Sequence, residues 1–118
     1  MLQRLLLVLC LTGLIAFAAD ITGKWDFHVE TDAGSGDPTF EFHQAGEKLT
    51  GTYNGTFGTA PVNGSVKGDD VEFTIDVTLG DQKGTITYKG KIGADGKMKG
   101  DVELSGLGKG TWTGTKKS

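Results

Sequence analysis

Apolar side chains at every second position run through most of this chain, and this alternation constrains its fold more than any other feature. From residue 22 onward the alternation recurs in eight short runs, separated by turns that are rich in glycine. The clearest run places Val71, Phe73, Ile75, Val77 and Leu79 on one side and polar residues on the other. A period of two predicts β-strands, and one apolar face with one polar face is typical of antiparallel sheet. We therefore predict an all-β fold.

The loops between the predicted strands are short, as in connections between neighbouring antiparallel strands. An open meander would leave two exposed sheet edges, and closure into a barrel removes them. Eight strands enclose an interior that side chains can just fill. Glycine within a strand marks a bend or a close backbone approach, and five glycines fall at inward positions: Gly51, Gly64, Gly90, Gly100 and Gly114. We predict an eight-stranded antiparallel up-and-down barrel, with a flat sandwich as the alternative.

Residues 1–19 have the composition of an export signal. Arg4 precedes an apolar run over residues 5–17, and the small residues Ala16 and Ala18 stand just before Asp20, as signal peptidase requires. The run is shorter than the roughly 20 residues that span a bilayer, which argues against the alternative of a retained anchor. We predict a cleaved signal peptide over residues 1–19, one barrel domain over residues 20–118, and a protein that is secreted or periplasmic.

Cleavage of this signal would remove the only cysteine, Cys10, and the only arginine. The remaining domain carries lysines against 15 acidic residues and is net acidic. Without arginine it has no bidentate donor for phosphate or guanine, and an acidic domain is a poor match for nucleic acid or an anionic membrane. We expect neither of these partners, no disulfide and no cofactor.

Residues 21–25, Ile-Thr-Gly-Lys-Trp, resemble the start of the first strand in the calycin group, which includes lipocalins, fatty-acid-binding proteins and avidins. The resemblance implies that Gly23 lets the chain close the base of a barrel and that Trp25 plugs this base. Calycins usually place a basic side chain of the last strand over that tryptophan. Lys116 is the candidate for this role here.

Residues 49–53, Leu-Thr-Gly-Thr-Tyr, are similar to the third-strand motif of avidins, which implies a ligand-facing role for Tyr53. Two polar positions of the avidin pattern are replaced here, by Phe27 and by Gly55, and the later tryptophan box is missing. A biotin ureido group needs a polar cluster inside an aromatic box. We therefore expect an avidin-like barrel without a complete biotin site, and keep biotin binding as an alternative function.

Strand alternation sorts the loops onto two ends of the predicted barrel. The end that holds the loops at residues 32–37, 54–60, 80–83 and 106–109 has the longer loops, and it contains Phe57 and Leu107. Because ligands of barrels bind at the mouth, this end is the better candidate for a site. The predicted ligand-binding residues are Tyr53, Tyr88, Phe57 and Trp112. In the alternative interpretation Phe57 is a plug and the tyrosines are ordinary core aromatics.

Two histidines and two carboxylates form a possible cluster on the outer face. If Phe27 pairs with Phe42 across the first hairpin, His28 faces Glu41 and Asp26 faces His43. Such a cluster fits either a transition-metal site or simple cross-strand stabilisation. It is also the only acid–base set in the chain, but it lies on an open face without a partnered nucleophile. We expect no metal and no enzyme activity there.

These features predict an exported, non-catalytic binding or interaction barrel. Its partner would be a small apolar molecule or another protein. The alternatives are a biotin-binding protein of the avidin type, a packed structural domain with no ligand, and an enzyme that uses the histidine face.

Overall fold

The computed structural model describes residues 19–79, 81–105 and 108–117, and in these ranges it contains nine β-strands and no helix. The predicted signal peptide, apart from Ala19, and Leu107 lie outside the described residues. The strands are β1 (Gly23–Thr31), β2 (Gly34–Gly36), β3 (Thr39–Ala45), β4 (Lys48–Gly55), β5 (Gly58–Lys67), β6 (Asp70–Leu79), β7 (Gln82–Ile92), β8 (Met98–Leu104) and β9 (Gly108–Lys116).

All neighbouring strands are antiparallel and follow chain order from β3 to β9. The pairing of β1 with β9, which places Phe27 opposite Gly114 and Val29 opposite Trp112, closes the sheet. The first half of β1 pairs with β3 and its last residues pair with β2, so β2 and β3 share one strand position. Eight strand positions therefore surround the interior. The predicted antiparallel up-and-down barrel is confirmed.

The short strand β2 was not predicted, and a proline explains why it is separate. Pro38 has no N–H to donate to a ladder, and it interrupts the strand position between Gly36 and Thr39. The ladder continues around the break through the Phe27 amide, which donates to the Pro38 carbonyl at 2.9 Å.

Aromatic rings fill the middle of the barrel. Phe27 stacks on Trp112 with ring centroids 4.7 Å apart, and Phe73 stacks on Tyr88 at the same separation. Phe40 packs edge-on against both Phe73 and Tyr88. Among the described residues the buried set is entirely hydrophobic or aromatic. Burial of this apolar surface is the dominant favourable term for the fold.

Glycines make the room for these rings. Gly90 and Gly100 pair with each other across β7 and β8, and Trp112 pairs with Gly100 from β9. A Cβ atom on Gly90 would lie 2.6 Å from the Cζ2 atom of Trp112, a distance that real side chains do not tolerate. The close approach that an inward glycine predicts is therefore present at Gly90.

The two ends of the barrel are named by their turns. The base carries the turns after β3, β5 and β7, and the mouth carries the turns after β1, β4, β6 and β8. The sequence assigned the loops to the same two groups.

In the described ranges no helix is long and apolar enough to cross a bilayer.

Candidate functional site

A cavity of about 250 Å³ lies at the mouth of the barrel. Its wall is formed by inward side chains from β1, β7 and β8, and its outer end is lined by the β1–β2 hairpin and the turn between β4 and β5. The wall residues are Val29, Ile86, Val102 and Leu104. These side chains are short compared with the rings in the middle of the barrel. The space between them and the hairpins is therefore left unfilled.

Tyr53 stands at one side of this cavity. It is 3% exposed, and its hydroxyl oxygen accepts a hydrogen bond from the Phe57 amide at 3.4 Å. A Cβ atom on Gly55 would lie 2.6 Å from that oxygen, so the absence of a side chain at residue 55 lets the tyrosine fold beneath the turn. Burial raises the pKa of the Tyr53 hydroxyl, although the Phe57 amide opposes this shift. Tyr53 therefore keeps its proton at neutral pH.

Tyr88 reaches the same cavity from β7. It is 2% exposed, and its ring lies flat on Phe73. Its hydroxyl makes no hydrogen bond to a described residue. Every fully covered side-chain oxygen in the described ranges has a hydrogen-bond partner, so the Tyr88 hydroxyl is not fully covered. The Tyr88 hydroxyl therefore opens onto the cavity that it lines. Burial raises the pKa of Tyr88 well above its usual range, and the nearby Tyr53 adds to the rise.

The structure brings three of the four predicted ligand-binding residues together: Tyr53, Tyr88 and Phe57 all line the cavity. Phe57 is partly buried and packs against the core. Trp112 is not among the lining residues. Its ring stacks on Phe27, and its Nε1 donates to the Asp101 carbonyl at 2.9 Å. Trp112 therefore belongs to the packed middle of the barrel.

Sequence reasoning placed the loop at residues 32–37 on the candidate end of the barrel but missed strand β2 and the lining residues within it. Residues 33–36 and the buried Pro38 line the cavity, although the whole stretch was assigned to a loop. The Asp-Pro dipeptide at residues 37 and 38 is the signal that could have found it, since proline within a strand position marks an interruption.

The predicted pairing across the first hairpin is wrong by four residues. Phe42 faces Gly23, not Phe27, and Trp25 faces Phe40. The reason is the break at Pro38. Because of this break, β2 pairs with the last residues of β1, and β3 pairs with the first residues of β1.

The outer-face cluster is not assembled, because of this shift. His28 Nδ1 lies 2.7 Å from the Asp37 carboxylate and its Nε2 lies 3.6 Å from Glu30. Glu41 faces Lys24 instead. The hydrogen bond to Asp37 raises the pKa of His28, and the nearby Glu30 contributes less. No group of three or more potential metal ligands occurs in the described part of the chain.

The cavity lining offers hydroxyl groups and backbone but no acid, base or imidazole within the described residues. Its chemistry is therefore that of hydrogen bonding inside an apolar enclosure. No protein-family profile matches the chain, and no curated protein sequence matches it. The closed eight-stranded barrel is compatible with a calycin-like fold.

Proposed function

We propose that this chain is an exported, non-catalytic binding barrel that takes a small apolar molecule into the cavity at its mouth. The observation that carries the proposal is an apolar cavity into which one buried tyrosine hydroxyl opens and which a second tyrosine lines. Binding sites of proteins are mostly apolar, with a few convergent polar groups. The mouth has this composition.

The contrast with the rest of the interior supports the proposal. The middle of the barrel is filled by stacked rings, and the base is filled by Trp25, Phe42 and Leu49. A purely structural domain gains stability by filling its interior at both ends. The unfilled volume at the mouth favours a ligand over the alternative of a packed domain without one.

A calycin relationship is part of this proposal, and the base supports it. Lys116 lies opposite Trp25 in the β1–β9 pairing. A Cβ atom on Gly23 would lie 2.9 Å from the Lys116 Cε atom, so the lysine stem passes over this glycine. The pairing of a basic residue of the last strand with the tryptophan of the first strand supports this relationship.

The test is a binding screen with small apolar and aromatic molecules on two variants. Val29→Phe enlarges a half-buried wall residue into the cavity, and Thr111→Val changes an exposed residue of the neighbouring strand as the matched control. We expect Val29→Phe to weaken binding at least tenfold, and Thr111→Val to leave it unchanged. Equal binding by all three proteins would place the ligand elsewhere, and no binding by the unmodified protein would refute the proposed function.

Export is tested separately, by locating the protein and determining its N-terminus by mass spectrometry. We expect it outside the cytoplasm with the apolar run removed. The full-length chain in the cytoplasm would refute this part of the proposal.

A further inference from the structure

The cavity limits the size of its ligand. An engineered cavity of about 150 Å³ holds benzene, and pockets for drug-sized molecules begin at about 300 Å³. The cavity at the mouth measures about 250 Å³. It therefore accommodates one aromatic ring with a short substituent, and a fatty acid chain would have to extend out of it into solvent.

The lining also limits the charge of the ligand. None of its described lining residues is charged. A buried ion without a partner is very costly. A carboxylate or ammonium group inside this cavity would have no counter-ion, so the ligand is neutral.

Tyr88 sets the hydrogen-bonding character of the ligand. Its hydroxyl is unpartnered by any described residue and opens onto the cavity, while the rest of the side chain is held in place by stacking on Phe73. In the free protein this hydroxyl is not fully covered, so solvent in the cavity can pair with it. A ligand that fills the cavity covers the hydroxyl. An acceptor oxygen on the ligand then replaces the lost hydrogen bond, whereas a hydrocarbon of the same shape leaves the donor unpaired.

We propose that the cavity binds a neutral, single-ring aromatic molecule whose acceptor oxygen receives a hydrogen bond from Tyr88. This inference rests on the proposed function and narrows it to a ligand class. The Tyr88 phenol donates because it stays protonated at neutral pH, and Tyr53, whose oxygen already accepts from Phe57, provides a second donor.

The experiment uses three probes of similar size: acetophenone, ethylbenzene and benzoate. Dissociation constants are measured by NMR titration on the full chain and on its Tyr88→Phe variant, following the amide signals of residues 33–36. Acetophenone has the acceptor, ethylbenzene lacks it, and benzoate adds a charge. Comparing each probe between the two proteins cancels the cost of removing that probe from water.

We expect Tyr88→Phe to weaken acetophenone binding about fivefold, the equivalent of one net hydrogen bond, and not to weaken ethylbenzene binding. Benzoate should bind at least tenfold more weakly than acetophenone. An equal change for acetophenone and ethylbenzene, or benzoate binding as tight as acetophenone binding, would overturn this inference and leave the proposed function standing. Failure of all three probes to bind would overturn this inference, whereas only failure of the whole apolar screen would also overturn the proposed function.

The stability of Tyr88→Phe provides an independent check. Since the hydroxyl has no partner among the described residues, its removal should not lower the thermal unfolding midpoint. A clear drop would show that another part of the chain uses this hydroxyl, and the assigned ligand contact would then be wrong.

Discussion

The base and the mouth of this barrel are built from the same alternating strands, yet the base is filled by side chains and the mouth contains a cavity. At the base, Trp25 donates from its Nε1 to the Ile21 carbonyl at 2.9 Å, and Gln44 binds the backbone of the N-terminal segment. At the mouth, Val29 and Val102 leave a cavity that two hairpins cover. Alternation decides only which side chains point inward, and the size of those side chains then decides whether an end is filled.

The comparison also shows how a small barrel can contain a cavity at one end while the rest of its interior is packed. A cavity in a close-packed interior lowers the stability of the fold. A small domain therefore tolerates one only where the rest of its interior is well packed. The stacked rings of Phe27, Trp112, Phe73 and Tyr88 form a continuous floor beneath the cavity. Tyr88 belongs to both regions, because its ring is part of the floor and its hydroxyl opens onto the cavity.

The largest expected effect comes from Trp25→Ala at the base. The side chain is 2% exposed and touches Phe42, and removal of a buried tryptophan costs roughly 3–5 kcal/mol. Val29→Ala at the mouth is the comparison, and it should cost much less because its side chain already borders a cavity. Urea unfolding measures both. A loss below about 1 kcal/mol for Trp25→Ala would show that the base is not the more tightly packed end.

Gln44→Ala tests the side-chain hydrogen bonds that hold the N-terminal segment against the base. The Gln44 side chain accepts from the Ile21 amide at 2.9 Å and donates to the Ala19 carbonyl at 2.7 Å. Its removal leaves partly buried backbone groups unpaired, which costs roughly 1–3 kcal/mol. Glu41→Ala, an exposed residue of the same strand, is the control and should be near neutral. Equal unfolding midpoints for the two variants would contradict this role of Gln44.

Biotin tests whether the mouth is an avidin site in spite of the residue differences. Phe27 is stacked in the core and Gly55 packs against Tyr53, so neither position offers a polar group to a ureido ring. Each unpaired polar group of the ligand would cost roughly 1–3 kcal/mol. We expect no binding tighter than millimolar in calorimetry at high protein concentration. A micromolar constant would mean that other residues have rebuilt the polar cluster.

The smallest effect is a pH response on the outer face of the barrel. Contact with Asp37 raises the pKa of His28 above its ordinary value of 6.5. Because this pKa is higher in the folded state than in the unfolded state, protonated His28 stabilises the fold. The stabilisation is complete at pH values below the unfolded-state pKa, and it is lost as the pH rises through the folded-state pKa. Both groups are exposed, so the effect is small. In an NMR titration the His28 midpoint should fall in Asp37→Asn and stay unchanged in Glu41→Gln, and equal midpoints in all three proteins would refute the contact.

Much of the fold was predictable from the sequence, because a period of two depends only on local alternation. The parity of Val71, Phe73 and Ile75 identified the inward face, and glycine-rich turns separated the strands and sorted the loops onto two ends. Inward glycines such as Gly90 indicated close approaches inside the barrel. Tyr53, Tyr88 and Phe57 were identified as site candidates by the same parity and by the position of their loops.

Tertiary structure alone decided the pairing across the first hairpin and the place of Trp112. Alternation is unchanged when a strand slides by an even number of residues, so a shift of four positions left every inward side chain inward while it separated His28 from Glu41. Trp112 had the right parity for the site, but its ring turned into the space above Gly90. The cavity is a small difference between the volume that the barrel encloses and the volume that its side chains fill, and that difference depends on packing across all the strands at once.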